Sequence, residues 1–269
     1  MKPMFNNKVV VITGGASGIG KALGYQFAKN GARVGLLDQD ANRSEACARG
    51  LCQSGMEVIG LRCDVTREAE CRKAMDTVVD TYGDIDVLVN NAGITLREAF
   101  IHTRTTAYRK VMEVNFFGAL NCTRASIDSL VRRKGMIIVI SSIAGLSPLP
   151  GRSGYCASKY ALHGLFDTLR IELESAGVDI LMVCPSFVKT NLQTRALGGD
   201  GKVTIRPQSL MGKPETPERT AEAIYRAAVR RRKQLIPTSM GQLAYWINRL
   251  LPQVYSRIIA RQFKSELIC

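Results

Sequence analysis

KVVVITGGASGIG, residues 8–20, joins a short apolar, β-branched run to a cluster of glycines, and an amphipathic stretch follows it. The run reads as a strand and the stretch after the glycines as a helix. Glycines at such a junction let the backbone turn tightly and approach a phosphate. The helix that follows offers free N–H groups and the positive end of its dipole. Gly14, Ser17, Gly18, Ile19 and Gly20 are therefore the candidate phosphate cradle, because the cluster lies in the first strand–helix unit of the chain.

The alternation of strand and helix continues outward from that unit. ARVGLLD (32–38), MEVIGLRCD (56–64), DVLVNNAG (86–93), MIIVISS (136–142) and VDILMVCP (178–185) read as strands, and QLIP (234–237) as a short seventh. Helical patterns lie between them, notably around 107–133, over 155–177 with Gly177 as a C-cap, and over 217–232. Near-continuous apolar strands separated by helices predict an α/β fold, a doubly wound parallel sheet of about seven strands with helices on both faces. With no linker or composition break before about residue 190 and no repeat at a fixed period, a single dinucleotide-binding domain over residues 1–269 is expected. Residues 187–215 lack periodicity and carry GGDG, which reads as a mobile substrate loop.

Composition is that of a soluble globular chain, with 46% hydrophobic and 22% charged residues among 269. No run approaches the roughly 18 apolar residues of a membrane span, and the N-terminal residues lack the pattern of a secretory signal. Eight cysteines occur without a CxxC pair, beside only two histidines. That pattern predicts reduced thiols in the cytoplasm and no metal site. The net charge is +14. Nucleic-acid binding is not expected, because the charge concentrates towards the C-terminus and no basic, aromatic stacking platform accompanies it.

In YCASK (155–159), Tyr155 and Lys159 are four apart, so on a helix they share one face. A cation beside a phenol favours the phenolate and suits the phenol to general acid–base work. Asp38 ends the second strand, 18 residues after Gly20. There it can accept ribose hydroxyls and repel a 2′-phosphate, or serve as a helix N-cap for ANRSEA. Ser17 before Gly18 offers a 2′-phosphate nothing, so NAD is preferred, with NADP as the alternative.

TGGASGIG, Asp64-Val65, NNAG (90–93), Asn115, Ser142 and the Tyr155/Lys159 pair occur in one order, with steps of 27, 13 and 4 residues from each of the last four to the next. Over residues 7–190 the chain resembles the short-chain dehydrogenase/reductase family, in its single-domain branch. The resemblance implies that Tyr155 is the catalytic acid/base and that Lys159 lowers its pKa and holds the nicotinamide ribose. It further implies that Ser142 hydrogen-bonds the substrate oxygen and that Asn115 holds a water linking Lys159 to solvent. Asp64 and Val65 would contact adenine, and Asn91, Ala92 and Gly93 would line its pocket. Val188 would lie near the nicotinamide amide and Thr190 near the pyrophosphate. Pro185-Ser186 departs from the family's Pro-Gly, which is tolerable if the backbone there keeps a negative φ. The long helices resemble those that pair subunits, so a homodimer or homotetramer is expected.

Residues 238–269 read as an amphipathic, basic C-terminal helical extension: GQLAYWINRLLPQVYSRIIARQF (241–263) shows helical apolar spacing with a basic polar face, and Pro252 is placed to start a second helix. The stripe can pack over the protein's own cleft or a partner subunit, or lie on an anionic membrane. Similar C-terminal extensions occur on relatives that act on lipids. Together with Ile94, Ile143, Leu146, Leu149, Phe187 and Leu192 as candidate cleft residues, this predicts a hydrophobic secondary alcohol or ketone as substrate. An NADP-dependent carbonyl or 3-oxoacyl reductase is the alternative within enzymes, and a cofactor-binding sensor with little turnover is the alternative outside them. An NAD preference leans towards oxidation.

Overall fold

The structure is a computed structural model that describes residues 4–205, 209 and 212–267, without the side chains of 265 and 267. Seven strands form its sheet: β1 (Val9–Thr13), β2 (Arg33–Asp38), β3 (Val58–Arg62), β4 (Val87–Asn90), β5 (Met136–Ile140), β6 (Asp179–Val183) and β7 (Gln234–Leu235). They run in the order β3-β2-β1-β4-β5-β6-β7, and every neighbouring pair is parallel. The chain winds outward one way from β1 through β3 and the other way from β4 through β7. The order therefore reverses between β1 and β4, and a crevice opens beyond their carboxyl ends.

The apolar runs are continuous because both faces of the sheet are covered. In β1, Val10 and Ile12 pack on one side and Val9 and Val11 on the other; in β5, Met136, Ile138 and Ile140 alternate with Ile137 and Val139. Successive side chains of a strand point to opposite faces, so both sets must be apolar here. Helices α1 (Gly18–Ala28), α2 (Ala41–Cys52) and α7 (Pro217–Val229) supply Leu23, Phe27, Ala48, Ile224 and Tyr225 to the first core. Helices α3 (Glu68–Tyr82), α5 (Gly118–Arg133) and α6 (Ser153–Glu172) supply Met75, Val78, Cys122, Leu130, Leu162 and Phe166 to the second.

Three boundaries differ from the sequence reading. The stretch around 107–133 is two helices, α4 (Thr105–Met112) and α5, joined by a π-helical turn over Glu113–Phe117. The helix expected over 155–177 ends at Glu172. Its C-cap is Leu173, and Gly177 lies beyond it with φ +73° in the turn before β6. That glycine answers the need of a left-handed turn residue rather than a helix cap. The helix expected over 217–232 ends at Val229.

Residues 187–205 are irregular but tied to the body. Leu197 exchanges backbone hydrogen bonds with Thr95 and Arg97 at 2.8 Å each, and Glu215 N–H donates to Phe187 O at 2.9 Å. Residues 206–208 and 210–211 of the expected substrate loop lie outside the described residues. The C-terminal segment forms α8 (Ser239–Leu250), α9 (Pro252–Gln262) and α10 (Lys264–Leu267). Pro252 stands at the start of α9, where its missing N–H has no intrahelical partner to lose. Tyr255, Ile259 and Phe263 turn inward onto Leu149 and Phe187, and the Tyr255 hydroxyl donates to Pro148 O at 3.1 Å. The inner stripe of the extension thus packs against its own chain.

Candidate active site

The glycine turn is held in place by its neighbours. Gly14 and Gly18 adopt φ of +62° and +52°, in the left-handed region that side chains avoid. Thr13 Oγ accepts from Asn91 N–H and Ala92 N–H at 3.0 Å each, and the Asn91 amide donates to Thr13 O at 2.8 Å and Gly14 O at 3.1 Å. These bonds lock the end of β1 to the end of β4. Ser17 precedes α1 in extended conformation and makes no side-chain cap, so the helix's first N–H groups face the crevice without a protein acceptor from that side chain. A Cβ on Gly20 would lie 2.3 Å from Gly14 O and 2.6 Å from Asn91 Nδ2. This cradle fits a pyrophosphate, which takes backbone N–H groups and requires close backbone approach.

That crowding carries a prediction. Gly20→Ala should destabilise the protein by about 1–3 kcal/mol, since neither contact is a flexible chain end, and should weaken dinucleotide binding. Gly50→Ala in α2, where nothing lies within 4 Å of the added Cβ, should instead raise stability by about 0.5–1 kcal/mol. Thermal unfolding and dinucleotide titration of the pair check both signs.

Asp38 sits at the carboxyl end of β2 on the same crevice. Its carboxylate accepts from Ala16 N–H at 3.3 Å and Asp40 N–H at 3.2 Å, so its direction is fixed. The N-cap of α2 is Asp40, whose Oδ1 accepts from Arg43 N–H at 3.1 Å; Asp38 does not fill that role. Asp64 and Val65 line the crevice beyond β3, and Asp64 Oδ1 accepts from Thr66 N–H at 3.0 Å. Val188 and Thr190 face it from the other side, with the Thr190 methyl 3.0 Å from where a Cβ on Gly18 would stand.

At the far end, the crevice meets α6. Tyr155, Lys159 and Ser142 all line it. Ser142 follows β5 and accepts from Ala144 N–H at 3.1 Å. Burial pushes the Tyr155 phenol up to about 12, and the hydrogen bond from Ser142 opposes that rise. Burial likewise pulls the Lys159 ammonium down to about 8. Lys159 Nζ donates to Ile140 O at 2.9 Å and stands 5.7 Å from the centre of the Tyr155 ring. The pairing along one helix face is present. Burial, however, outweighs any lowering of the phenol by the ammonium.

Two of the residues singled out from the sequence lie behind the crevice wall. Gly20 is buried beneath the turn, and Asn115 is 1% exposed in the π-helical turn. Such turns widen a helix by one residue and recur at functional sites. Asn115 Oδ1 accepts from Ile94 N–H at 2.8 Å, and its amide donates to Ile94 O and Ser158 Oγ at 2.9 Å each. A Cβ on Gly93 would meet Asn115 Oδ1 at 3.2 Å and Lys159 Nζ at 3.7 Å. Asn115 thus fixes the strand-end loop against α6.

Sequence reasoning missed Thr13, Ser158 and Arg152. Thr13 and Ser158 act through hydrogen bonds between distant segments, for which no local pattern exists. A hydroxyl on the buried side of YCASK was the one available signal for Ser158. Arg152 lines the crevice just before α6, and its guanidinium pairs with Glu266 Oε2 at 2.7 Å and stacks on Phe263. Of the six apolar cleft candidates, Ile94, Ile143, Leu149, Phe187 and Leu192 line the crevice. Leu146 does not; it faces a separate depression beside α8 and accepts from Asn248 through its carbonyl at 3.0 Å. At Pro185-Ser186 the serine avoids positive φ and pairs with Thr238 Oγ at 2.9 Å, which joins the departure from Pro-Gly to the start of α8. Among the described residues, no group of His, Cys, Asp and Glu is placed to hold a metal ion.

The sequence profile of the family described as short chain dehydrogenase matches residues 8–198. Dehydrogenase/reductase SDR family member 7B of Xenopus tropicalis is 34% identical over 266 residues, covering 96% of this chain and 86% of the relative. A short chain dehydrogenase/reductase of Burkholderia phymatum, solved in complex with NAD, superposes with a TM-score of 0.82 at 25% identity, covering 93% of this chain and 95% of the other. An alcohol dehydrogenase of Thermococcus sibiricus, complexed with 5-hydroxy-NADP, superposes at 0.74 with 27% identity, covering 85% and 95%.

Proposed function

The chain belongs to the short-chain dehydrogenase/reductase family and is an NAD(P)-dependent oxidoreductase, and from that premise we propose that it moves a hydride between NAD(H) and a hydrophobic secondary alcohol or ketone. The observation that carries the reading is the juxtaposition of Tyr155 with the apolar wall of Ile94, Ile143, Leu149, Phe187 and Leu192. Arg152, which lines the same crevice, is paired with Glu266.

When bound, the nicotinamide dinucleotide supplies or takes the hydride. Everything else falls to the chain. The turn at Gly14 to Gly20 holds the pyrophosphate on the N-terminus of α1, and Asp38 accepts the adenosine ribose hydroxyls. In the reductive direction, Tyr155 donates its phenolic proton to the carbonyl oxygen as the carbonyl carbon gains the hydride, which leaves an alcohol and a phenolate. Ser142 donates a hydrogen bond to that oxygen, and the Lys159 charge steadies the phenolate. Oxidation reverses each step.

Asp38 supports NAD over NADP, because a fixed carboxylate opposes a 2′-phosphate. Asp38→Ser should lower the ratio of NADP to NAD dissociation constants by about tenfold or more, which is about 1.4 kcal/mol of relieved repulsion. Titrating wild type and variant with both dinucleotides tests this. A wild type that prefers NADP would favour the carbonyl or 3-oxoacyl reductase reading.

We further assign the outer faces of α4 to α6 to pairing in a homodimer or homotetramer. Exposed Phe117, Val131, Tyr160 and Ile171 support it, and the sedimentation mass tests it. The seven cysteines among the described residues are all free thiols, which supports a cytoplasmic setting.

A further inference from the structure

Helices α8 and α9 are apolar on two sides. Ala244, Ile247, Tyr255, Ile259 and Phe263 make the inner stripe against the cleft wall. Leu243, Trp246 and Leu250 on α8 and Val254 and Ile258 on α9 point away from it and are 42–68% exposed, with Leu251 at the joint 56% exposed. Residues 243, 246 and 250, and 251, 254 and 258, follow the three- and four-residue steps of one helix face. The outer row is therefore a continuous surface and not a scatter of single exposed side chains.

Along α8 and α9 the charge has one sign. Arg249, Arg257, Arg261 and Lys264 are exposed, and none has an ion-pair partner among the described residues. From residue 223 to residue 265 the sequence contains no Asp or Glu, while Arg230, Arg232 and Lys233 precede the helices beside Arg231, which is paired with Asp179. A second copy docked face to face would set these cations against themselves. A surface of anionic headgroups over an apolar interior complements both the cations and the apolar row. No helix among the described residues is long and apolar enough to cross a membrane, so the contact would lie in the plane of the interface.

We propose that the outer face of α8–α9 docks the protein onto a bilayer surface rich in anionic lipid. The leucines, Trp246, Val254 and Ile258 enter the boundary of headgroups and acyl chains, and the arginines take the headgroup charge. This is independent of the reaction assigned above. It does place Leu149 and Phe187 of the cleft wall one helix thickness, about 10 Å, from the lipid.

The chain itself supplies the probe, because Trp246 is its single tryptophan. Full-length protein is mixed with vesicles of phosphatidylcholine alone, or of equimolar phosphatidylcholine and phosphatidylserine, and Trp246 emission is recorded. The expected result is a blue shift, with quenching by acyl-brominated lipid, on the anionic vesicles and little change on the neutral ones. Leu243→Glu/Leu250→Glu should abolish the shift. Arg249→Gln and Arg257→Gln should each weaken vesicle binding by about fivefold. All four side chains are exposed, and thermal unfolding of each variant checks that the fold is kept. Two results overturn the proposal. One is emission unchanged on both vesicles. The other is an emission already blue-shifted in solution that moves red when Leu250→Glu splits an oligomer, which assigns the face to a second copy.

Discussion

Tyr155→Phe is expected to lower kcat in both directions by about 10²–10⁴-fold, the usual contribution of a positioned general acid or base, and to leave dinucleotide affinity unchanged. The ring fills the same volume without its hydroxyl, so the packing of Ala144 and Cys156 around it is kept. Only the proton and the hydrogen bond with Ser142 are lost. The phenol is raised to about 12, so at neutral pH it is protonated and ready to donate in the reductive direction. A loss confined to KM would remove Tyr155 from proton transfer and leave it a binding residue.

Lys159→Met should separate stability from activity. In the folded protein burial lowers the ammonium to about 8, against an ordinary value of 10.5. Below pH 8 the group is charged in both the folded and unfolded states, and the fold bears the full burial penalty. Between pH 8 and 10.5 the folded state has released a proton that the unfolded state still holds, so stability rises with pH in that window. Removing the ammonium at pH 7 relieves up to about 3 kcal/mol. The orphaned Ile140 carbonyl costs about 1–3 kcal/mol in return. The variant should therefore be at least as stable as wild type at pH 7, and wild type should gain on it as pH climbs from 8 to 10.5. Its turnover should fall about 10²-fold or more, as for a lost preorganised charge. Because Tyr155 stays protonated to about 12, an alkaline fall in the reduction rate centred near 8 reports Lys159, and it should be absent in Lys159→Met. Thermal unfolding across pH and pH–rate profiles of the two proteins check these signs.

Much of this was legible in the chain because it is written locally. The continuous apolar runs of β1 and β5 announce a sheet covered on both faces, and the glycine cluster after β1 announces the turn. Pro252 marks the break between α8 and α9 by its own covalent geometry. What escaped is tertiary. Gly177 looked like a helix cap, but α6 ends at Glu172 and the glycine serves the turn before β6. The π-helical turn at Asn115 has no signature in VNFFG; it follows from pinning that side chain to Ile94 and Ser158. Leu146 shares the apolar character of Leu149, yet it faces the other side of the segment that α8 covers. Arg152 and Glu266 lie 114 residues apart, and no periodicity links them.

A hydride transferred between NAD(H) and an apolar secondary alcohol or ketone under the proton control of Tyr155 can be followed by isotope. The most direct test supplies the wild-type protein with NADH deuterated at the transferring position, together with a panel of steroid, retinoid, long-chain and short polar ketones, and analyses the products by mass. Deuterium is expected on the carbinol carbon of an apolar product, and is expected to arrive about 10²-fold or more slowly when Tyr155→Phe replaces the wild type. NADH bound with no deuterium delivered to any apolar ketone, or delivered equally fast by Tyr155→Phe, would contradict this assignment.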